Sequence, residues 1–321
     1  MSSTAVLESP ERVDPSAFID PSAPQSWSRQ VVALLEAGHY CEAYEVIAEK
    51  VPYVENQLRY FSESLEGKEN HWTKTHDAIA RFIDDSRPQR ILDVGCAVGC
   101  HAIQFARKGH QTCGIDILPE MISRGREFVE SLGLSERVRL VEGDIRRLPE
   151  YFSDASFDCA VACNIFEHLD DAALHEVLVG MKRVVRPGGR IVIETSPGRH
   201  YYWFEPDRRK LLALLVPLAW LPDRLFTRYV LWLDRFYIRG IRREPEAFYR
   251  HEAAHINCMW HEHLGKLMRA AGLNDVRTFA THVHPGMKDE GCMRAAWTRR
   301  LFGRKSIAAR NIFGIATVGT E

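Results

Sequence analysis

The sequence predicts an α/β fold: a mostly parallel sheet with helices on both faces, a helical extension before it and a helical insert after its fifth strand. Three observations predict this. Apolar runs of strand length alternate with stretches of helical periodicity from Arg90 to Glu194. A glycine-interrupted turn, Ile91-Leu-Asp-Val-Gly95-Cys-Ala-Val-Gly99, joins the first run to the first helical stretch. Between Ser196 and His255 lie about sixty residues that break the alternation.

Before the sheet, residues 1–24 carry acids and prolines instead of a basic-then-apolar export signal, and are expected to be a disordered leader. Residues 25–70 form the helical extension. Val31, Leu34, Leu35, Ala43, Val46 and Ile47 fall at helical spacing about Gly38, which predicts a two-helix hairpin. His71 to Ile83 reads as one more amphipathic helix, packing on the sheet or serving as a lid whose Trp72 and His76 cover a ligand. Strands follow at Arg90–Val94, Gln111–Ile115, Val138–Glu142, Phe157–Ala162 and Arg190–Glu194, with helices around His101–Lys108, Pro119–Leu132 and Asp171–Val185.

Composition bounds the function. The 321 residues, 45% hydrophobic and 26% charged, suffice for one large core and an appended element. A formal net charge of −1 offers no global attraction to nucleic acid or an anionic membrane, so nucleic acid is not an expected partner. The eight cysteines form no C-x-x-C pair, and Cys96/Cys100 and Cys159/Cys163 lack the companions of a zinc site. No metal is expected, and reduced thiols fit a cytoplasmic location.

A parallel sheet binds ligands at the carboxyl ends of its strands, where Asp93, Asp116, Asp144 and Asn164 fall. Glycine lets the backbone approach a ligand, the following helix start offers N–H groups, and an acid after the second strand can hold two ribose hydroxyls. The pattern calls for an adenosine-containing cofactor. A nicotinamide dinucleotide wants G-x-G-x-x-G, which Gly95-Cys-Ala-Val-Gly99 does not supply.

These residues resemble the class I S-adenosylmethionine-dependent methyltransferases. Asp93, Gly95 and Gly99 match the family's first motif, Asp116 and Asp144 its acids after the second and third strands, and Cys-Asn164-Ile-Phe-Glu-His168-Leu its loop after the fourth. Arg186-Pro-Gly-Gly189 matches the turn before its fifth strand, and the likeness resumes near His255. The resemblance implies a Rossmann-like seven-stranded sheet whose last strand, near Ile312–Val318, runs antiparallel, with residues 71–197 and 256–321 as the methyltransferase domain. It also implies S-adenosyl-L-methionine as cofactor. Gly95, Cys96 and Ala97 would approach its amino acid end and Asp116 its ribose. Ile117 would pack on adenine, as would Met121 unless it is a core methionine, Asp144 and Ile145 would meet the adenine amino edge, and Asn164 the methionine carboxylate side. Ala97 departs from the family's more usual glycine: it is tolerable at negative φ and strained at positive φ. His168 is the candidate general base, with a structural role in its loop as the alternative; Glu167 reads as a solvated or loop-bonding acid.

The insert, residues 198–255, is expected to be a helical lid that selects the substrate. His200, Tyr201 and Tyr202 open it as candidate substrate contacts, and His255 closes it as another. Leu211–Leu221 is an apolar run too short to span a bilayer and broken by Pro217. From Arg224 to Arg239, Leu225, Phe226, Tyr229, Val230, Trp232, Leu233, Phe236 and Tyr237 share one broad stripe, with Arg224, Arg228, Arg235 and Arg239 on the other side. Such a helix caps the site, or lies in a membrane interface through residues 211–239. His261 and His263 point about 200° apart on a helix, which disfavours a shared metal. Arg299, Arg300, Arg304 and Lys305 read as a solvated connector. The implied activity is methyl transfer to a small-molecule acceptor, at oxygen by preference. The alternatives are a lipid-like or prenylated acceptor, and an inactive cofactor-binding module that works by interaction.

Overall fold

In the computed structural model the described residues are 27–50, 53–69, 71–84, 86–195, 209–233, 256–257, 259–281, 296–302, 304–309 and 311–320. Three helices come first: α1 (Trp27–Glu36), α2 (Tyr40–Lys50) and α3 (Tyr53–Leu65). The expected hairpin is therefore a three-helix preface, since Pro52 separates two helical stretches that the apolar spacing runs together. Its apolar stripe is buried in the same core as the sheet, so the preface is not an independent unit. Helix α4 (His71–Ala80) ends three residues before the expected boundary.

The sheet is built from β1 (Arg90–Val94), β2 (Gln111–Asp116), β3 (Val138–Glu142), β4 (Phe157–Cys163), β5 (Val185–Thr195), β6 (Asn274–Thr281) and β7 (Asn311–Thr317). Their order is β3-β2-β1-β4-β5-β7-β6, with β7 antiparallel to both neighbours and β1 to β5 parallel. Between the strands run α5 (Cys100–Arg107), α6 (Pro119–Ser131), the single turn α7 (Leu148–Tyr151) and α8 (Asp171–Val184). Strand β5 starts five residues earlier than expected, because Val185 pairs with Phe157 across a bulge and the Arg-Pro-Gly-Gly stretch becomes part of the strand.

The chain winds outward from β1 to β3, then crosses back to place β4 on the other side of β1. The carboxyl ends of β1 and β4 thereby part at a topological switch point, the usual ligand crevice of such sheets. One sheet face packs under α8, and the other under α4, α5 and α6, where Ile79 and Phe105 meet Ile91, Val161 and Val192 and Gly125 of α6 lies over Leu140 of β3.

After β5 come α9 (Arg209–Leu215), a 3-10 turn, and α10 (Asp223–Leu233); α11 (His261–Ala270) and α12 (Ala296–Phe302) flank β6 in sequence. Helices α9, α10 and α12 share a small core of their own around Leu212, Leu215, Phe226, Val230 and Phe302. Lys305 is buried there, donating to the Leu221 carbonyl with its ammonium over the Phe226 ring. This corrects the solvated reading for that residue, although Arg300 and Arg304 are exposed. Among the described residues no helix is long and apolar enough to cross a membrane.

Candidate active site

Strand β1 ends at Val94, and the backbone turns at Gly95 with φ 72°. The N–H groups of Gly95 and Cys96 both donate to the Ile115 carbonyl, at 2.9 and 3.0 Å, which clamps the loop onto β2. A Cβ on Gly95 would lie 2.8 Å from Ile165 Cγ1, so both conformation and space require glycine. Ala97 has φ 48°, the strained alternative for this alanine, at a cost of about 1–2 kcal/mol. The Ala97 N–H, donating to Asp116 Oδ2 at 2.8 Å, holds it there.

Asp116 is nearly buried at the end of β2, and its other oxygen accepts the Leu118 N–H at 3.0 Å. Each carboxylate oxygen retains acceptor capacity. Burial raises its pKa, against the backbone N–H groups that favour the charged form. Asp93 lies behind the loop, 1% exposed, and accepts the Ala102 N–H from the first turn of α5 at 3.1 Å. Burial pushes its carboxyl up to about 7. Asp144 caps the turn after β3, accepting the Arg146 N–H at 2.9 Å and pairing with its guanidinium at 2.6 Å. The same guanidinium sits 4.8 Å over the Tyr40 ring.

One cavity of about 880 Å³, counted to its open mouth, joins these groups. Gly95, Cys96, Ala97, Asp116, Ile117, Met121, Asp144, Ile145, Asn164 and His168 all line it, ten of the twelve residues expected in the cofactor and catalytic sets. Asp93 and Gly99 are not on the wall: the first anchors α5, and the second, at φ 83°, precedes its first residue over Leu140. Asn164 reaches the wall at φ 50°, a left-handed conformation its short polar side chain tolerates. His168 closes the turn after β4, its N–H on the Ile165 carbonyl at 3.1 Å. Glu167 is the loop-bonding acid and not a solvated one, 1% exposed, accepting the Thr195 hydroxyl at 2.7 Å and offering its carbonyl to the Asn257 N–H.

Two wall residues come from the preface, and no motif marks them. Tyr40 and Tyr44, one turn apart on α2, face the strand ends, and the Tyr44 ring stands edge-on to His168 at 5.5 Å. Helical spacing shows that they share a face, but nothing local shows that the face meets a loop more than a hundred residues further on. His101 also lines the cavity, and its Nδ1 lies 3.4 Å from Nδ1 of His76, which burial holds at a pKa of about 2. Burial likewise lowers His101 to about 4, so both rings are neutral near pH 7. His76 is thus packed against α5 and absent from the cavity wall; the Trp72 side chain is outside the described residues.

His200, Tyr201, Tyr202 and His255 also lie outside the described residues. No described residue of α9 or α10 is on the cavity wall. His263 Nε2 meets Asp171 at 2.9 Å, and among the described residues no cluster of three or more His, Cys, Asp or Glu could hold a metal ion. The thiols of Cys96, Cys100 and Cys163 line the cavity as protonated, inert groups, their pKa values raised by burial.

Comparison with known proteins matches residues 91–189 to the family model "Methyltransferase domain". Similar proteins include a sterol 4-C-methyltransferase of Caenorhabditis elegans, 27% identical over half of this chain and 48% of that protein. A probable chloroplastic tocopherol O-methyltransferase of Oryza sativa subsp. japonica is 32% identical over 52% of this chain and 44% of its own length. A norajmaline N-methyltransferase of Rauvolfia serpentina is 30% identical over 42% and 51%. The chain thus spans about half the length of the curated relatives it matches. In fold it resembles a chain of the Haloferax volcanii complex containing the Trm112 methyltransferase activator, at a TM-score of 0.52 and 15% identity, over 84% of this chain and 96% of that one.

Proposed function

We propose that the chain, whose residues 91–189 match the model of a methyltransferase domain, is a class I S-adenosylmethionine-dependent methyltransferase that transfers a methyl group to an oxygen of a small, largely apolar acceptor. The observation that carries the proposal is the convergence of the Gly95–Ala97 turn, Asp116, Asp144, Asn164 and His168 on one cavity at the switch point. The chemistry of the wall fits the cofactor. The turn has no room for a Cβ at Gly95, Asp116 keeps acceptor capacity on two oxygens, and Ile117, Met121 and Ile145 supply apolar surface for a base.

When bound, S-adenosylmethionine supplies a methyl group already activated for displacement. Asp116 would take the ribose hydroxyls, Asp144 and Ile145 the adenine edge, and Gly95, Cys96, Ala97 and Asn164 would flank the amino acid portion. Holding an acceptor in line supplies about 7–11 kcal/mol of the barrier. His168 removes the acceptor proton, worth roughly 100-fold or more. An oxygen acceptor suits this arrangement because a hydroxyl must lose a proton, whereas a neutral amine can attack without a base. Tyr44 packs edge-on against His168 and limits the ring's freedom. The division into extension, methyltransferase domain (71–197 and 256–321) and insert (198–255), the substrate roles of His200, Tyr201, Tyr202 and His255, and a cytoplasmic location consistent with free cysteines belong to the same proposal.

A second reading, a lipid-like or prenylated acceptor, is favoured by the exposed apolar residues of α9, α10 and α12 and by the names of the sterol and tocopherol relatives. Transfer of a labelled methyl group from S-adenosylmethionine to a panel of hydroxylated acceptors, soluble and lipid-like, separates the readings. Label in a soluble acceptor supports the first, and label only in vesicle-borne acceptors supports the second. Cofactor binding without transfer to any acceptor would leave the inactive module.

A further inference from the structure

We infer that α9, α10 and α12 form a docking surface for a bilayer carrying anionic lipid. Among the described residues nine large hydrophobics are exposed, and seven of them, Leu214, Val216, Trp220, Leu225, Trp232, Trp297 and Leu301, belong to this one helical appendage. Trp220 is 77% exposed, Trp232 53% and Leu225 51%. Large side chains gathered in this way mark an interaction site, whereas singly scattered ones do not.

Helix α10 shows how the surface is made. At about 100° per residue its apolar arc spans roughly 160° from Trp232 through Leu225, Tyr229, Leu233 and Phe226 to Val230. Only half of that arc is used for folding: Phe226, Val230 and Leu233 are buried in the appendage's own core. On the other half Leu225 and Trp232 are exposed, and half-buried Tyr229 packs on that core with its ring stacked on Trp232 at 6.0 Å. Arg228 and Arg224 border this outward half, both exposed. Helix α12 repeats the pattern in one turn, with exposed Trp297 and Leu301 beside exposed Arg300, and Arg304 follows.

Tryptophans at the edge of an apolar face, flanked by arginines, match the headgroup region of a membrane. The arginines give the occupant its sign. Their acidic neighbours are few: Glu262 lies 4.0 Å from Arg224, and Asp223 is engaged by the Ser306 N–H. No described residue of this surface is on the cavity wall. The inference deepens the lipid-like acceptor reading and rests on it for its purpose, but not for its geometry.

The test is co-sedimentation of the full chain with vesicles of phosphatidylcholine alone and of phosphatidylcholine mixed with phosphatidylglycerol. Binding to the mixed vesicles is expected to exceed binding to the neutral ones by about 5-fold per arginine engaged, and to fall with added salt. The variant Trp220→Ser/Trp232→Ser and the charge reversal Arg228→Glu/Arg300→Glu each change exposed residues only, and each should lose binding while melting like the parent. Absence of sedimentation, or binding unchanged in both folded variants, would overturn the inference. So would a dimer in sedimentation velocity that the tryptophan variant abolishes, because a second copy would then be the occupant. Vesicle binding by a protein that methylates soluble acceptors alone would keep the surface and remove the lipid-acceptor reading.

Discussion

Replacing Asp116 by asparagine should weaken cofactor binding far more than it weakens the fold. In the native loop its two oxygens accept the Ala97 N–H at 2.8 Å and the Leu118 N–H at 3.0 Å. Asparagine offers one acceptor and one NH2 group, so one of these N–H groups faces another donor. A hydrogen bond to a charged group contributes about 1.5–3 kcal/mol net, and one such bond is lost in the loop. One ribose hydroxyl loses its acceptor as well. The loop bond is lost with or without ligand, so the affinity falls by the ribose contact alone, about 1.5–3 kcal/mol or roughly 10- to 150-fold in Kd. The fold itself loses one bond but no longer buries a charge, whose raised pKa reflects the cost of burial. The two effects offset, and the melting temperature should move by a few degrees at most. Titration calorimetry with S-adenosylhomocysteine gives the affinity and a thermal melt gives the stability. A folded variant that binds within about threefold of the parent would remove Asp116 from the ribose site.

Other perturbations probe the loop, the buried acid and the base. Gly95→Ala puts a methyl group 2.8 Å from Ile165 Cγ1 at positive φ, and should cost about 2–4 kcal/mol in urea unfolding. Ala97→Gly removes left-handed strain, less the extra freedom glycine gives the unfolded chain, and should raise stability by about 0.5–1 kcal/mol in the same assay. Asp93 loses its proton near 3.8 when unfolded but near 7 when folded, so its contribution to stability falls as pH rises from about 4 through about 7. Asp93→Asn should therefore match the parent near pH 4 and exceed it by a few kcal/mol at pH 8, as measured by denaturant unfolding across that range. His168→Ala should slow methyl transfer about 100-fold or more while leaving cofactor affinity unchanged, and an undiminished rate would assign the ring a structural role.

The parallel part of the sheet was legible because its strands are buried on both faces and read as short apolar runs ending in polar residues, as at Asp116 and Asn164. Ten of the twelve expected cofactor and catalytic residues line one cavity for the same reason: the sheet aligns the strand ends that carry them. Asp93 fits the motif by spacing, but its side chain turns back to the Ala102 N–H, a contact across the turn that spacing alone does not reveal. Strand β5 was read short because the Phe157–Val185 pairing, which draws the Arg-Pro-Gly-Gly stretch into the ladder, is long-range. Tyr40 and Tyr44 were illegible on similar grounds. For α10 the periodicity gave a wide apolar arc, but which half is covered depends on Phe302 and Ile307, about eighty residues further along the chain.

The central claim is that the cavity under Gly95–Ala97 is built for a sulfonium cofactor and not for a dinucleotide. Calorimetric titration of the unaltered chain with S-adenosylmethionine, S-adenosylhomocysteine and NAD tests it most directly. Saturable one-to-one binding of the first two is expected, with no binding of NAD. Preferential binding of NAD, or no binding of either methionine-derived ligand, would contradict it.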